Sequence, residues 1–124
     1  MIRTLLVLRP APADVAATIA HYRSAAILER AVEYGLVRGE VLRCRSGADV
    51  VVASLWHSTD DYTAWLDCDE RRHLLDDLAR SVPSALVADS AVEPYPGDTD
   101  VDTALDVSDR YGDDTPVRVH LVVS

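Results

Sequence analysis

At 124 residues the chain has the length of one domain, and its apolar content of 48 % is ordinary for a globular protein. Its 21 acidic side chains against 12 arginines, with no lysine, give a net charge of −9, which argues against nucleic acid or an anionic membrane as a partner. No apolar run approaches the ~20 residues of a membrane span. The opening residues 1–9 end in Arg9-Pro10 without a small-residue cleavage site, so they read as a first strand rather than a signal peptide, and a cytoplasmic location is expected.

Residues 2–8 form that first strand, broken by Pro10 and Pro12, and Asp14 stands where a helix N-cap belongs. Val15, Ile19, Tyr22 and Ala26 recur at spacings of three and four, and Ala31 and Val32 continue the apolar side. The pattern is one long amphipathic helix or two short ones broken near Ser24. Gly35 occupies a helix C-terminal position. Residues 36–45 make a second strand, residues 46–49 a short turn, and a third strand follows antiparallel.

That third strand, Val50 to Leu55, is almost wholly apolar and rich in β-branched residues. It runs through Trp56 and His57 to Ser58, which with Asp61 three positions on resembles a capping box. Tyr62, Trp65 and Leu66 then fall on one helical face, so two tryptophans and a tyrosine converge in a chain without phenylalanine. A pocket is expected there. A further helix restarts around residues 67–70 with Asp67 as its cap and carries an inner stripe of Arg71, Leu74, Leu75, Leu78 and Val82, until Pro83 ends it.

Residues 85–93 read as a fourth strand, and Pro94-Tyr95-Pro96-Gly97 as a boundary. Residues 98–114 hold seven aspartates and one arginine and are expected to form a weak helix or an acidic solvated loop. Residues 117–123 alternate as an extra C-terminal strand. The order β-α-β-β-α-β predicts an α+β, ferredoxin-like domain over residues 1–96 with an antiparallel sheet, followed by an acidic connector and terminal strand over 97–124 that packs on the same domain or on its partner. Helices cover one sheet face. The apolar second face then calls for a partner copy, and a homodimer is expected.

The segment from Val51 to Leu66, with its strand-end Trp56, Ser58 and second aromatic one helical stretch later, together with Gly35 and the strand at 37–43, resembles the antibiotic biosynthesis monooxygenase family of dimeric α+β barrels. The likeness covers residues 2–93. It implies cofactor-independent oxygenation of a polycyclic aromatic or polyketide-like molecule in secondary metabolism, with neither cofactor nor metal. The opening residues 3–9 also resemble small aromatic polyketide cyclases, and a non-enzymatic, dimeric ligand-binding member of the fold is the third reading. In the oxygenase pattern Trp56 and Tyr62 match, the Asn position falls on Val52, and the Arg position falls near Asp76, with Arg71 and Arg72 an alignment shift away.

These matches make Trp56 and Tyr62 the leading catalytic candidates, with His57 and His73 as reserve acids or bases. Trp65, Tyr22, Val52 and Arg72 are candidates for contact with a small aromatic ligand. The haem-degrading branch shares Trp65, but His73 follows it at eight residues rather than ten and the first strand lacks Asn, so haem degradation is not expected. Each site residue has a plainer reading: Trp56 and Trp65 as core, Tyr62 as a half-buried helix tyrosine, His57 as solvated. Cys68, Asp69 and His73 offer metal-ligand types at a spacing that fits no common zinc site. Cys44 and Cys68 are expected to be free thiols. No Ser-His-Asp motif, phosphate loop or dinucleotide fingerprint is present.

Overall fold

A computed structural model describes residues 1–45, 47–86, 98–111 and 122–123. In chain order it contains β1 (Ile2–Leu8), α1 (Val15–Ser24), α2 (Ile27–Val32), β2 (Leu36–Cys44), β3 (Val50–Trp56), α3 (Thr59–Asp67), α4 (Asp69–Ser81), a 3-10 turn at Pro83–Leu86, β4 (Thr99–Asp106), a second 3-10 turn at Ser108–Arg110, and the short β5 (Val122–Val123). The sheet order is β4-β2-β3-β1-β5. Both β1 and β2 pair antiparallel with β3, which lies between them, and β4 pairs antiparallel with β2. This is an α+β fold whose four-stranded antiparallel sheet and helices are compatible with a ferredoxin-like arrangement. Val122 and Val123 pair parallel with Thr4 and Leu5.

One sheet face carries the core. Ile2, Leu8, Leu36, Val41, Val50, Val52 and Trp56 meet Ile19 and Tyr22 of α1, Leu28 of α2, and Leu74 and Leu78 of α4. The helical layer before β2 is two helices, broken at Ala25-Ala26, where Ala26 adopts a left-handed conformation (φ 53°). Gly35, at φ +102°, turns the chain from α2 into β2, and its carbonyl accepts from the His57 N–H at 2.9 Å.

The start of α3 follows the expected pattern: the Asp61 N–H donates to Ser58 Oγ at 3.1 Å, with Asp60 and Asp61 in the first turn. Ser58→Ala is therefore expected to lower stability by about 1 kcal/mol, read as a lower midpoint in urea at unchanged slope. The next cap lies one residue later than its expected place. Cys68, not Asp67, caps α4, its Sγ accepting from the Arg71 N–H at 3.3 Å, and Asp67 instead closes α3. At the other end of the chain, Asp14 makes no capping bond and accepts instead from Ser84 Oγ at 2.7 Å.

Two expected elements are corrected. The start of the expected strand at 85–93 belongs to the 3-10 turn Pro83–Leu86, which Ser84 ties back to Asp14 and to the Ala11 N–H; residues 87–93 lie outside the described residues. The acidic segment, expected as loop or weak helix, contains the strand β4. Its Thr99, Thr103 and Leu105 are half-buried while Asp100 and Asp106 are exposed, and a bulge opposite Val41-Leu42 resets the alternation. Arg23 of α1 donates to Asp102 and Thr103, and Arg45 pairs with Asp100 at 3.2 Å, so the acidic strand is tied to the body by arginines. Of the expected terminal strand, residues 117–121 lie outside the described residues.

The second sheet face bears on the expected homodimer. Val37, Leu42, Val51 and Leu55 lie on it, and all four are buried in the single chain. They need no partner copy to leave water, so the argument from a bare face loses its footing at these positions. Cys44 and Cys68 form no disulfide. Among the described residues no helix is long and apolar enough to cross a membrane.

Candidate functional site

The expected convergence of aromatic residues takes shape where β3 ends. Trp56, Ser54 and Val52 share the helix-facing side of β3, and Trp56 is only 2 % exposed. The Ser58 cap turns α3 back over the sheet, and the helical spacing of Tyr62 and Trp65 brings both rings onto Trp56. The Trp56–Tyr62 ring centroids are 5.4 Å apart at 48°, and Trp56–Trp65 6.2 Å at 33°. Tyr34 extends the cluster behind Trp65 at 5.3 Å. The neighbouring Cys68 thiol, with smaller contributions from desolvation and Glu70, raises the Tyr34 hydroxyl above its ordinary pKa.

Trp56, Tyr62 and Trp65 wall one cleft between the helices and the sheet. Its floor is Thr4, Val52 and Ser54, and its other walls include Tyr22, Leu28, Arg71 and Leu75. Counted to its open mouth the cleft is about 610 Å³.

The polar groups in this apolar cleft are few. The Trp56 indole N–H donates to Thr4 Oγ1 at 3.1 Å in a buried bond, so it is already occupied. Burial pushes the Tyr22 hydroxyl up to about 12, an effect the Arg71 guanidinium partly offsets. Tyr22 is therefore neutral at physiological pH and serves as a hydrogen-bond donor or acceptor, not as a base. Arg71 brings the cleft its positive charge and forms no ion pair with another described residue.

The structure thus brings together Trp56, Tyr62, Trp65, Tyr22 and Val52. Three other candidates do not line the cleft. His57 points away from Trp56, as alternation along a strand requires, and lies at the rim with its Nδ1 3.2 Å from Asp61 Oδ2 and its ring stacked on Tyr111 at 4.9 Å. His73 is exposed on α4, off the Leu74–Leu78 stripe. Arg72 is exposed and pairs with Asp69 at 3.2 Å. The cation in the cleft is its neighbour Arg71, which the family pattern offers alongside Arg72 but which is not among the site residues named from sequence, and the hydroxyls on the floor are Thr4 and Ser54, neither a site candidate from sequence. The signal for Arg71 was its place on the inner stripe of α4; that for Thr4 was a polar residue on the buried parity of β1. Nε2 of His21, outside the cleft, is buried without a hydrogen-bond partner among the described residues.

Among the described residues no group of three or more His, Cys, Asp or Glu side chains is placed to hold a metal ion. No protein-family model, no curated protein and no solved structure matches the chain.

Proposed function

We propose that the cleft binds a small, flat aromatic molecule carrying an ionisable oxygen, and that the protein oxidises it without a cofactor, as the likeness to antibiotic biosynthesis monooxygenases implies. The observation that carries this reading is Arg71, a cation without an ion-pair partner among the described residues, set in a cleft walled by Trp56, Tyr62, Trp65 and Tyr22. A phenolate or enolate stacked on those rings places its charge at the guanidinium, in surroundings of low dielectric where the attraction is strong. In such chemistry the substrate anion reduces oxygen itself. One oxygen atom ends as a ring carbonyl and the other as water. The protein supplies orientation, desolvation and the counter-charge.

Tyr22 is too weak an acid to accept the proton near neutrality, and His57 and His73 stand outside the cleft. The substrate is therefore one acidic enough to ionise towards Arg71 and lose its proton to solvent at the mouth. The same lack of a base favours a second reading, a ligand-binding protein that performs no turnover. A polyketide cyclase would use the same cleft without consuming oxygen. The homodimer that the family likeness implies is carried with this proposal and is read from the sedimentation mass.

A hydroxyanthrone with an oxygen electrode and absorbance detection separates the readings. Oxygenation predicts protein-dependent oxygen uptake and quinone formation. In Arg71→Met, kcat/KM is expected to fall at least about tenfold, the worth of one charge-assisted contact, while the circular dichroism spectrum is unchanged. Saturable quenching of tryptophan fluorescence without oxygen uptake establishes the binding reading instead. Neither uptake nor quenching rejects both.

A further inference from the structure

The sheet face opposite the cleft carries a second concavity of about 420 Å³, counted to its open side. Arg3 of β1 and Arg38 of β2 both stand in register with Leu55 of β3, which lies between them. Adjacent strands are about 4.8 Å apart, so the two arginines start roughly 10 Å from each other, a gap that two such long side chains close on one anion. One step along, Leu5 and Glu40 flank Ala53 in the same way. The groove therefore offers two guanidiniums, one carboxylate and an apolar floor of Leu5, Ala53 and Leu55.

Two of the arginines without an ion-pair partner among the described residues meet in this groove; Arg43, Arg71 and Arg110 have none either. Arg9, Arg23, Arg30, Arg45, Arg72 and Arg80 each pair with an acid, as expected in a chain of net charge −9. Arg3 and Arg38 form neither an ion pair nor a side-chain hydrogen bond with another described residue, although acids outnumber arginines in the chain. Asp106, opposite Arg38 on β4, accepts from the Ser108 N–H at 2.8 Å and also feels the Arg38 charge, both of which hold its carboxyl below the usual range, but it forms no ion pair with Arg38. Two guanidinium forks match a carboxylate in shape and charge. The aliphatic floor selects against a fully hydrated anion.

We infer that this groove is a binding site for a small amphipathic carboxylate, held by its carboxyl group between Arg3 and Arg38 and by its apolar end on Leu5, Ala53 and Leu55. The site is independent of the proposed oxidation. It shares Thr4, Leu5 and Ser54 with the aromatic cleft as a common partition, but its charged residues face the other way.

Titration of the whole protein with octanoate, followed by amide chemical shifts and calorimetry, tests it. Saturable shifts are expected at residues 3, 38 and 55. Affinity is expected to fall at least about tenfold in Arg3→Gln and in Arg38→Gln, and to fall with added salt. Arg71→Met, in the cleft, is expected to leave octanoate binding unchanged. Because neither Arg3 nor Arg38 is buried, both variants retain the fold, which circular dichroism checks. Equal binding of octanol overturns the inference, since the carboxylate would then contribute nothing. So does equal binding of inorganic phosphate, since the apolar floor would then contribute nothing. Wild-type affinity in both arginine variants, or loss of binding in Arg71→Met, overturns the location.

Discussion

Trp56→Ala is expected to destabilise the protein by about 3–5 kcal/mol, the range for removing a large buried aromatic side chain. The side chain is 2 % exposed and lies between the β-sheet and α3, in contact with both Tyr62 and Trp65. Deleting it leaves a cavity that two rings border, and neither can fill it without moving α3. Domains of this size are stable by about 5–15 kcal/mol, so the variant is marginal at room temperature. Trp56→Phe separates packing from polarity. It keeps a ring but removes the N–H that donates to Thr4 Oγ1 in a buried setting. A cycle of Trp56→Phe, Thr4→Val and the double variant is expected to show about 1 kcal/mol of coupling. A loss below 1 kcal/mol in Trp56→Ala, measured by urea unfolding, would mean that the indole is not the keystone of this layer.

The part of the fold that sequence made legible is the part whose causes are local. A run of β-branched residues, a serine with an acid three positions on, and aromatics at helical spacing specify β3, the turn at Ser58 and the face of α3 without reference to anything distant. Neighbouring helical residues are separated by about 100°, and that decides which arginine enters the cleft. Arg71 stands three before Leu74 and seven before Leu78, on the buried stripe, whereas Arg72 is turned out to Asp69. The stripe carried that information, whereas the family pattern left Arg71 and Arg72 equally open. Strand β4 was hidden for a different reason. Its threonines, valine and leucine alternate with aspartates, but the bulge breaks the alternation and the charge count suggests solvent. Aspartates on an edge strand keep its open side from pairing with other chains, so a composition typical of loops is compatible with a strand there. Which strand receives that edge is a long-range matter, and no local signal assigns β4 to β2. Coverage of the second face is equally non-local, which is why the burial of Val37 and Val51 could not be anticipated.

Gly35→Ala is expected to cost about 3–4 kcal/mol, a loss on the scale of the largest single-residue effects. Two causes act together. The backbone at position 35 has φ +102°, which is open to glycine and strained for any L side chain, at about 1–3 kcal/mol. An added Cβ would also stand 2.5 Å from Asp61 Oδ2 and 2.7 Å from Asp61 Cβ. The first of these atoms can swing aside, but the second is fixed to the backbone of α3. Asp61 has little freedom, because its N–H is held by Ser58 Oγ at 3.1 Å and its carboxylate by His57 Nδ1 at 3.2 Å, while the His57 N–H is held by the Gly35 carbonyl at 2.9 Å. Relief therefore requires the first turn of α3 to retreat and its cap to break. That helix carries Tyr62 and Trp65, so the same substitution is expected to weaken tryptophan quenching by any cleft ligand. Asp61→Gly in the Gly35→Ala background removes the clash and leaves the strained backbone. Recovery of about half the loss is expected, measured as the non-additivity of the two substitutions in urea unfolding. Full recovery would assign the whole cost to the contact with Asp61. No recovery would assign it to the dihedral alone and would remove the tight approach of β2 to α3 as a reason for glycine at this position.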